Sequence, residues 1–221
     1  MKSLENMLRI VSPGLVTDPS VLALYRSLLT PDEQARVDRF VYREERHVRL
    51  VARASLRLLL AEFTGVPAPD FRFRYNDYGK PFVQDPPEYV GVRFNVSHTK
   101  DLIAVYISAD HEVGVDVESV RPMSDLCSIA ERFFAPPEVD DLRTRENESA
   151  TQRFFQYWTL KESYIKACGM GLSLPLDQFW FELGDEPSIH FLPGIEDDPA
   201  RWGFTQQRLD SGHYVATASA Q

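Results

Sequence analysis

Residues 151–171, TQRFFQYWTLKESYIKACGMG, carry the reading that fixes the fold. Apolar and polar positions recur at helical spacing from 151 to 167, and Gly169 and Gly171 close the segment. A polar, charge-rich stretch at 138–150 precedes it. Before that, 124–134 reads as a helix that Pro136 and Pro137 stop. Short strands are predicted after it at 178–183, 188–192, 202–209 and 213–219. Towards the N-terminus, 112–118 (EVGVDVE), 102–108 (LIAVYIS), 90–97 (VGVRFNVS) and 70–75 (DFRFRY) read as strands. Turns are expected at 76–81 and 98–101. Two helices come first, over 19–29 and 31–63. Thr30 and Pro31 suit the N-cap and first turn of the second, and Gly65, Pro67 and Pro69 end it.

The order helices, strands, helix, strands predicts an α+β protein with antiparallel sheets rather than alternating βαβ units. Both parts place a long helix ahead of strands. That pattern suggests a duplication into halves 1–110 and 111–221, with a seam near 109–112. No residue-level repeat is visible.

Composition narrows the function classes. The chain has 221 residues, 24 Lys+Arg against 33 Asp+Glu, and a net charge of −9, a poor match to nucleic-acid binding. Cys127 and Cys168 form no metal-ligand spacing. No apolar run is long enough to span a bilayer, and no leader pattern opens the sequence, so a cytoplasmic location is expected.

Several clusters could carry chemistry. In Val113-Gly114-Val115-Asp116-Val117-Glu118, strand alternation sends the valines to one face and Gly114, Asp116 and Glu118 to the other. Two neighbouring carboxylates repel unless a cation or proton lies between them, and hard oxygens suit Mg²⁺. The glycine leaves room for something to approach. Solvated acids on an exposed strand face would give the same pattern. Glu162 and Lys166 share a helix face at i,i+4, as a surface pair would or as a metal-and-phosphate site would. His98, at the end of Phe94-Asn95-Val96-Ser97-His98, could bond a phosphate or simply be solvated. Tyr78-Gly79-Lys80-Pro81 is a turn by its chemistry. The stripe Arg36, Arg39, Arg43, Arg46, Arg49, Arg53 and Arg57 could pair with nearby glutamates or bind phosphate. No nucleophile elbow, P-loop or dinucleotide fingerprint occurs.

Taken in order, Gly79-Lys80-Pro81, Phe94 to His98, Val113 to Glu118 and Trp158 to Lys166 resemble the Sfp-type 4′-phosphopantetheinyl transferases. That family's pattern runs GKP, FNxSHS, (I/V)G(I/V)DxE and WxxKESxxKxxGxG. The resemblance extends from about Arg36 to about Phe179, with Thr99 in place of the usual serine after His98. It implies a pseudo-dimer of two α+β halves, each a long helix on a small antiparallel sheet, with coenzyme A in the cleft between them. It further implies Asp116, Glu118 and Glu162 as Mg²⁺ ligands and Lys166 at the diphosphate. Ser97, His98 and Lys80 would lie at the nucleotide end, with Arg36 and, less directly, Arg53 at the 3′-phosphate. Arg46 and Arg49 do not align with the pattern. The implied reaction transfers phosphopantetheine to a serine of an apo carrier protein, with Glu162, Lys166 and His98 as catalytic groups. A monomer would suffice, since the pseudo-dimer is internal. Met123, Phe133 and Phe134 are candidates for carrier contacts or for core. The rival readings are another Mg²⁺-dependent diphosphate-cleaving enzyme and a non-catalytic carrier-binding relative.

Overall fold

The computed structural model describes residues 6–221. The chain divides between Asp110 and His111 into two compact units. The first contains β1 (Met7–Val11), α1 (Pro19–Leu28), α2 (Pro31–Asp38), α3 (Arg43–Thr64), the hairpin β2 (Arg72–Tyr75) and β3 (Pro81–Asp85), then β4 (Arg93–His98) and β5 (Ile103–Ser108). Its main sheet is antiparallel in the order β1-β5-β4. Helix α3 buries Val48, Val51, Leu56 and Leu60 in a core shared with Phe94, Ile103, Val105 and Ile107.

The second unit contains β6 (Val113–Ser119), α4 (Leu126–Phe133), α5 (Pro136–Arg143), α6 (Asn147–Cys168), the hairpin β7 (Phe179–Glu182) and β8 (Ser188–Phe191), then β9 (Trp202–Arg208) and β10 (His213–Ala220). Its sheet runs β6-β10-β9, also antiparallel. An aromatic core joins Phe154, Phe155, Leu160 and Tyr164 of α6 to Phe179, Phe181, Trp202 and Phe204. Among the described residues no helix is long and apolar enough to cross a membrane.

The fold is thus α+β, with a 22-residue helix on a small antiparallel sheet in each unit. In each, a strand comes first, helices follow, a hairpin comes next and two strands finish. In each sheet the last strand is central, flanked by the first and the penultimate.

The two units also share a repeat at residue level that the sequence hides. Each long helix ends on a glycine in the left-handed region, Gly65 at φ 81° and Gly169 at φ 68°. At the same distance ahead of its glycine, each helix carries a fully buried cation, Arg57 or Lys161. Arg57 pairs with Glu33 at 2.8 Å and donates to the carbonyls of Ala68 and Phe71 at 2.8 and 3.2 Å. Lys161 pairs with Glu138 at 2.8 Å and donates to the carbonyls of Leu176 and Phe179 at 2.7 and 2.5 Å. Both glutamates cap the preceding helix: Glu33 accepts from the Thr30 amide at 2.9 Å and Glu138 from the Ala135 amide at 3.1 Å. Both carbonyl pairs belong to a 3₁₀ turn and the phenylalanine that ends it. Nearer the glycines, Glu62 on α3 and Lys166 on α6 hold a second matching position. Glu62 meets Arg9 of β1 at 3.4 Å, about half exposed, and Lys166 meets Asp116 of β6.

Three expectations are corrected. The helix expected over 31–63 is broken at 39–42, where Val41 and Tyr42 are exposed. An unbroken helix would carry Glu33 roughly 36 Å from Arg57, at about 1.5 Å per residue. The chain must fold back for the buried pair to form. Pro136 and Pro137 do not merely stop a helix; they open α5 as its first-turn prolines, so 138–150 contains most of a helix and the start of another. Strands β1 and β3 add to those expected from the sequence.

Removing Arg57 while Glu33 stays buried should destabilise the protein by about 3–5 kcal/mol. Urea unfolding of Arg57→Met should show this, and Arg57→Met with Glu33→Leu should recover part of the loss, since the Thr30 amide and the Ala68 and Phe71 carbonyls still lack their partners.

Candidate active site

The centre of the second unit is the contact of β6 with α6. A Cβ placed on Gly114 would lie 1.9 Å from the Ser163 carbonyl oxygen and 2.5 Å from the Ala167 amide nitrogen. No side chain fits there, so helix backbone lies directly on strand backbone. The small partners Ala216 and Ala218 stand opposite Asp116 and Gly114 in β10. What the glycine admits is α6 itself. The valines of β6 are buried, and so are Gly114 and Asp116, which removes the reading of an exposed acidic strand face.

That approach delivers α6 to the acids. Lys166 Nζ lies 2.5 Å from Asp116 Oδ1 and 3.9 Å from Glu162 Oε2. The Asp116 side chain is 4% exposed and that of Glu162 18%, so the Glu162–Lys166 pair is not a surface pair. Glu118, one strand step further, meets Arg121 at 3.4 Å. Burial raises the Glu162 carboxyl above its ordinary value; Lys166 opposes that rise, and Asp116 and Glu118 reinforce it. Burial likewise raises Glu118, and the charge of Asp116 adds to the effect. Burial would depress the Lys166 ammonium, but Asp116, Glu162 and Glu118 together hold it above its usual range. Asp116 and Glu162 thus share one close ammonium, with a third carboxylate, Glu118, one strand step away and paired to the more exposed Arg121, so acids crowd in a partly dehydrated place.

Among the described residues no three His, Cys, Asp or Glu side chains form a ready cage for a metal. The donor chemistry still suits a hard divalent cation, since all three groups offer carboxylate oxygens. Such a cation would compete with Lys166 for the Asp116 oxygen.

In the first unit, a cavity of about 470 Å³ is lined by Arg36, Arg39, Arg49, Arg53, Phe40 and His98, among others. Arg36, Arg53 and His98, named from sequence, come together here. Arg53 lies 3.6 Å from Glu33, and Arg36 covers the Tyr75 ring at 4.6 Å. Arg49 stacks on Phe40 at 3.8 Å and pairs with Glu45 at 3.0 Å. Ser97 and Lys80 are not among the lining residues. Ser97 is buried in β4, and Lys80 belongs to the β2–β3 turn, where its amide donates to Asn76 Oδ1 at 2.8 Å. Arg39 and Arg49, members of the same arginine stripe, line the cavity as well, Arg49 one helical turn from Arg53. The arginine stripe is not one face: Arg57 is interior, Arg49 and Arg53 line the cavity, and Arg43 and Arg46 are exposed.

A groove of about 740 Å³ in the second unit is lined by Arg121, Met123, Leu126, Arg145 and Arg208, among others. Of the three apolar candidates, Met123 lines this groove, Phe134 is core and Phe133 packs against the core.

Residues 112–219 match the model of the 4′-phosphopantetheinyl transferase superfamily, and residues 18–110 match that of the 4′-phosphopantetheinyl transferase N-terminal region. The chain is 34% identical to the 4′-phosphopantetheinyl transferase ffp of Bacillus subtilis, over 74% of this chain and 70% of that one. It is 29% identical to the 4′-phosphopantetheinyl transferase Sfp of Bacillus subtilis, over 89% and 84%. With the 4′-phosphopantetheinyl transferase HetI of Nostoc sp. it shares 39% identity over 66% of this chain, a match spanning 61% of that relative's length. The chain belongs to the 4′-phosphopantetheinyl transferase superfamily, on the Sfp-type side of it.

Gly114→Ala should cost about 3 kcal/mol or more, because the added methyl meets backbone that cannot swing aside. Gly91→Ala, whose Cβ would meet only the Ala109 carbonyl at 3.8 Å, should stay within about 0.5 kcal/mol. Urea midpoints of the two variants check the contrast.

Proposed function

We propose that this chain transfers the 4′-phosphopantetheine group of coenzyme A to a serine of an apo carrier protein, releasing 3′,5′-ADP. The observation that carries the reading is the meeting of Asp116 from β6 with Glu162 and Lys166 from α6, with Glu118 one strand step away. Family membership supports it.

Asp116, Glu118 and Glu162 are the residues proposed to hold Mg²⁺. When bound, the ion supplies Lewis-acid polarisation of the diphosphate. The protein's own groups do the rest. The carrier serine oxygen forms a bond to the phosphorus next to pantetheine, and the bond from that phosphorus to the bridging oxygen breaks. Glu162, directly or through a water, takes the serine proton; its raised affinity for protons suits that task. Lys166 donates to the phosphate oxygens that gain charge as 3′,5′-ADP departs. The arginine-lined cavity suits the nucleotide end. Arg36 and Arg53 offer guanidinium groups to the 3′-phosphate and His98 a ring nitrogen, with Ser97 and Lys80 assigned to the same end by resemblance. The groove is lined by Arg121, Arg145 and Arg208 against one carboxylate, Glu148; with Arg121 paired to Glu118 and Arg145 to Asp141, Arg208 is the cation it offers most directly to an acidic carrier.

The test is intact-mass analysis of an apo carrier incubated with protein, coenzyme A and Mg²⁺. A gain of about 340 Da on the carrier is expected, and excess chelator should stop it. Free phosphopantetheine without a mass gain would point to water as acceptor, and no cleavage at all to a non-catalytic binder. Asp116→Asn, folded by circular dichroism, should lose transfer by at least about 100-fold.

In a second measurement, Arg36→Ala and Arg53→Ala should each erase most of the preference for coenzyme A over its 3′-dephospho form. The change should be about 10–100-fold in kcat/KM with coenzyme A, and small with the dephospho form.

A further inference from the structure

Lys161 stands immediately before Glu162, yet nothing in the proposed chemistry uses it. Its side chain is wholly buried, and its ammonium is surrounded by Glu138, the Leu176 carbonyl and the Phe179 carbonyl at 2.8, 2.7 and 2.5 Å. An ammonium has three N–H donors, so none is left for a phosphate. Glu138 is equally committed, accepting from the amides of Ala135 and Phe181, both at 3.1 Å. One cation thus ties the middle of α6 to the start of α5 and to the start of β7.

Directed bonds from α6 to two separate chain segments, α5 and the turn that opens β7, restrict rotation of the helix about its axis more sharply than apolar packing does. Glu162 and Lys166 need a fixed rotation to reach Asp116 on β6. A buried ion pair is also a weak source of net stability compared with apolar residues of similar volume. What it supplies here is direction. The first unit provides an independent instance. Arg57 makes the same set of bonds, and its partner Glu33 lines the arginine-rich cavity and stands 3.6 Å from Arg53. In both units the buried cation belongs to the helix that presents charged side chains to the proposed ligand.

We propose that Lys161 is a positioning residue for phosphopantetheinyl transfer: it fixes the rotation and axial register of α6 so that Glu162 and Lys166 meet Asp116, and it touches no substrate. The inference rests on the transferase reading of the same site.

The experiment measures kcat and KM for coenzyme A with an apo carrier, using the full chain as wild type, Lys161→Arg, Lys161→Met, and Lys161→Met with Glu138→Leu. Assays run below the unfolding midpoint of each variant. A guanidinium already fills this setting in the first unit, so Lys161→Arg should keep kcat within about threefold of wild type. Lys161→Met should lower kcat by about 30–100-fold, the scale of a misplacement near 1 Å, with KM for coenzyme A within about twofold. The double variant should regain part of the stability lost in Lys161→Met and stay slow. Wild-type kcat in a stable double variant would overturn the proposal, leaving Lys161 a stability element only. A raised KM with unchanged kcat would overturn it in another way, by placing Lys161 on the donor. A folded but inactive Lys161→Arg would also overturn it. Failure of the wild type itself to modify the carrier would sink the transferase reading instead, so the two failures are told apart.

Discussion

Everything distinctive in the second unit follows from one close approach, the backbone of α6 lying on the backbone of β6 at Gly114. Helix and sheet ordinarily stand apart by the depth of two layers of side chains. Here one layer is missing over Gly114 and thin over Ala216 and Ala218. The lost depth lets Glu162 and Lys166 reach an aspartate that is itself almost wholly buried. The electrostatics is then set by crowding: water is largely excluded, and Asp116 and Glu162 are held together by one ammonium. That imbalance is what the proposed binding of a divalent cation would relieve, and a fully neutralised cluster would offer it nothing.

The buried cations Arg57 and Lys161 show how a small α+β unit holds such a helix in place. Each collects a glutamate that already caps a neighbouring helix and two carbonyls from a tight turn. One side chain therefore satisfies several backbone groups that burial would otherwise leave costly. The chemistry differs between the two, a planar fork in one unit and a compact ammonium in the other, while the set of partners is the same. The repeated partners are the residue-level evidence for a duplicated topology.

Much of this was legible in the sequence, and the remainder was hidden for identifiable reasons. The α+β class, the strands carrying Asp116 and His98, and the helix carrying Glu162 and Lys166 follow from periodicity and from glycine and proline placement. The break at 39–42 is invisible locally, because Val37, Phe40, Val41 and Val48 keep a helical rhythm across it; only the distant demand of Arg57 for Glu33 enforces the fold-back. The prolines at 136 and 137 carry two meanings, helix stop and helix start, and Glu138 decides between them by capping. The repeat is hidden in the sequence because the cations are of different types and their glutamates lie in helices preceded by unlike residues, Thr30 and Ala135. Arg49 matches no motif, yet its four-residue spacing from Arg53 puts it on the same cavity wall.

The matching position nearer the glycines has a different history in each unit. Arg9 and Glu62 stand on the first strand and long helix of their unit, as Asp116 and Lys166 do on theirs, with the signs exchanged. Open to solvent, that pair contributes at most about 1 kcal/mol. It puts a guanidinium where the other unit puts an oxyanion, so it repels the very ion that Asp116 would attract. Two scaffolds of one design therefore present opposite charge at the matched strand position, and Leu58 and Val11 of the first unit stand where the second unit has Glu162 and Glu118, so the acids proposed to hold a divalent cation have no counterpart at those three positions.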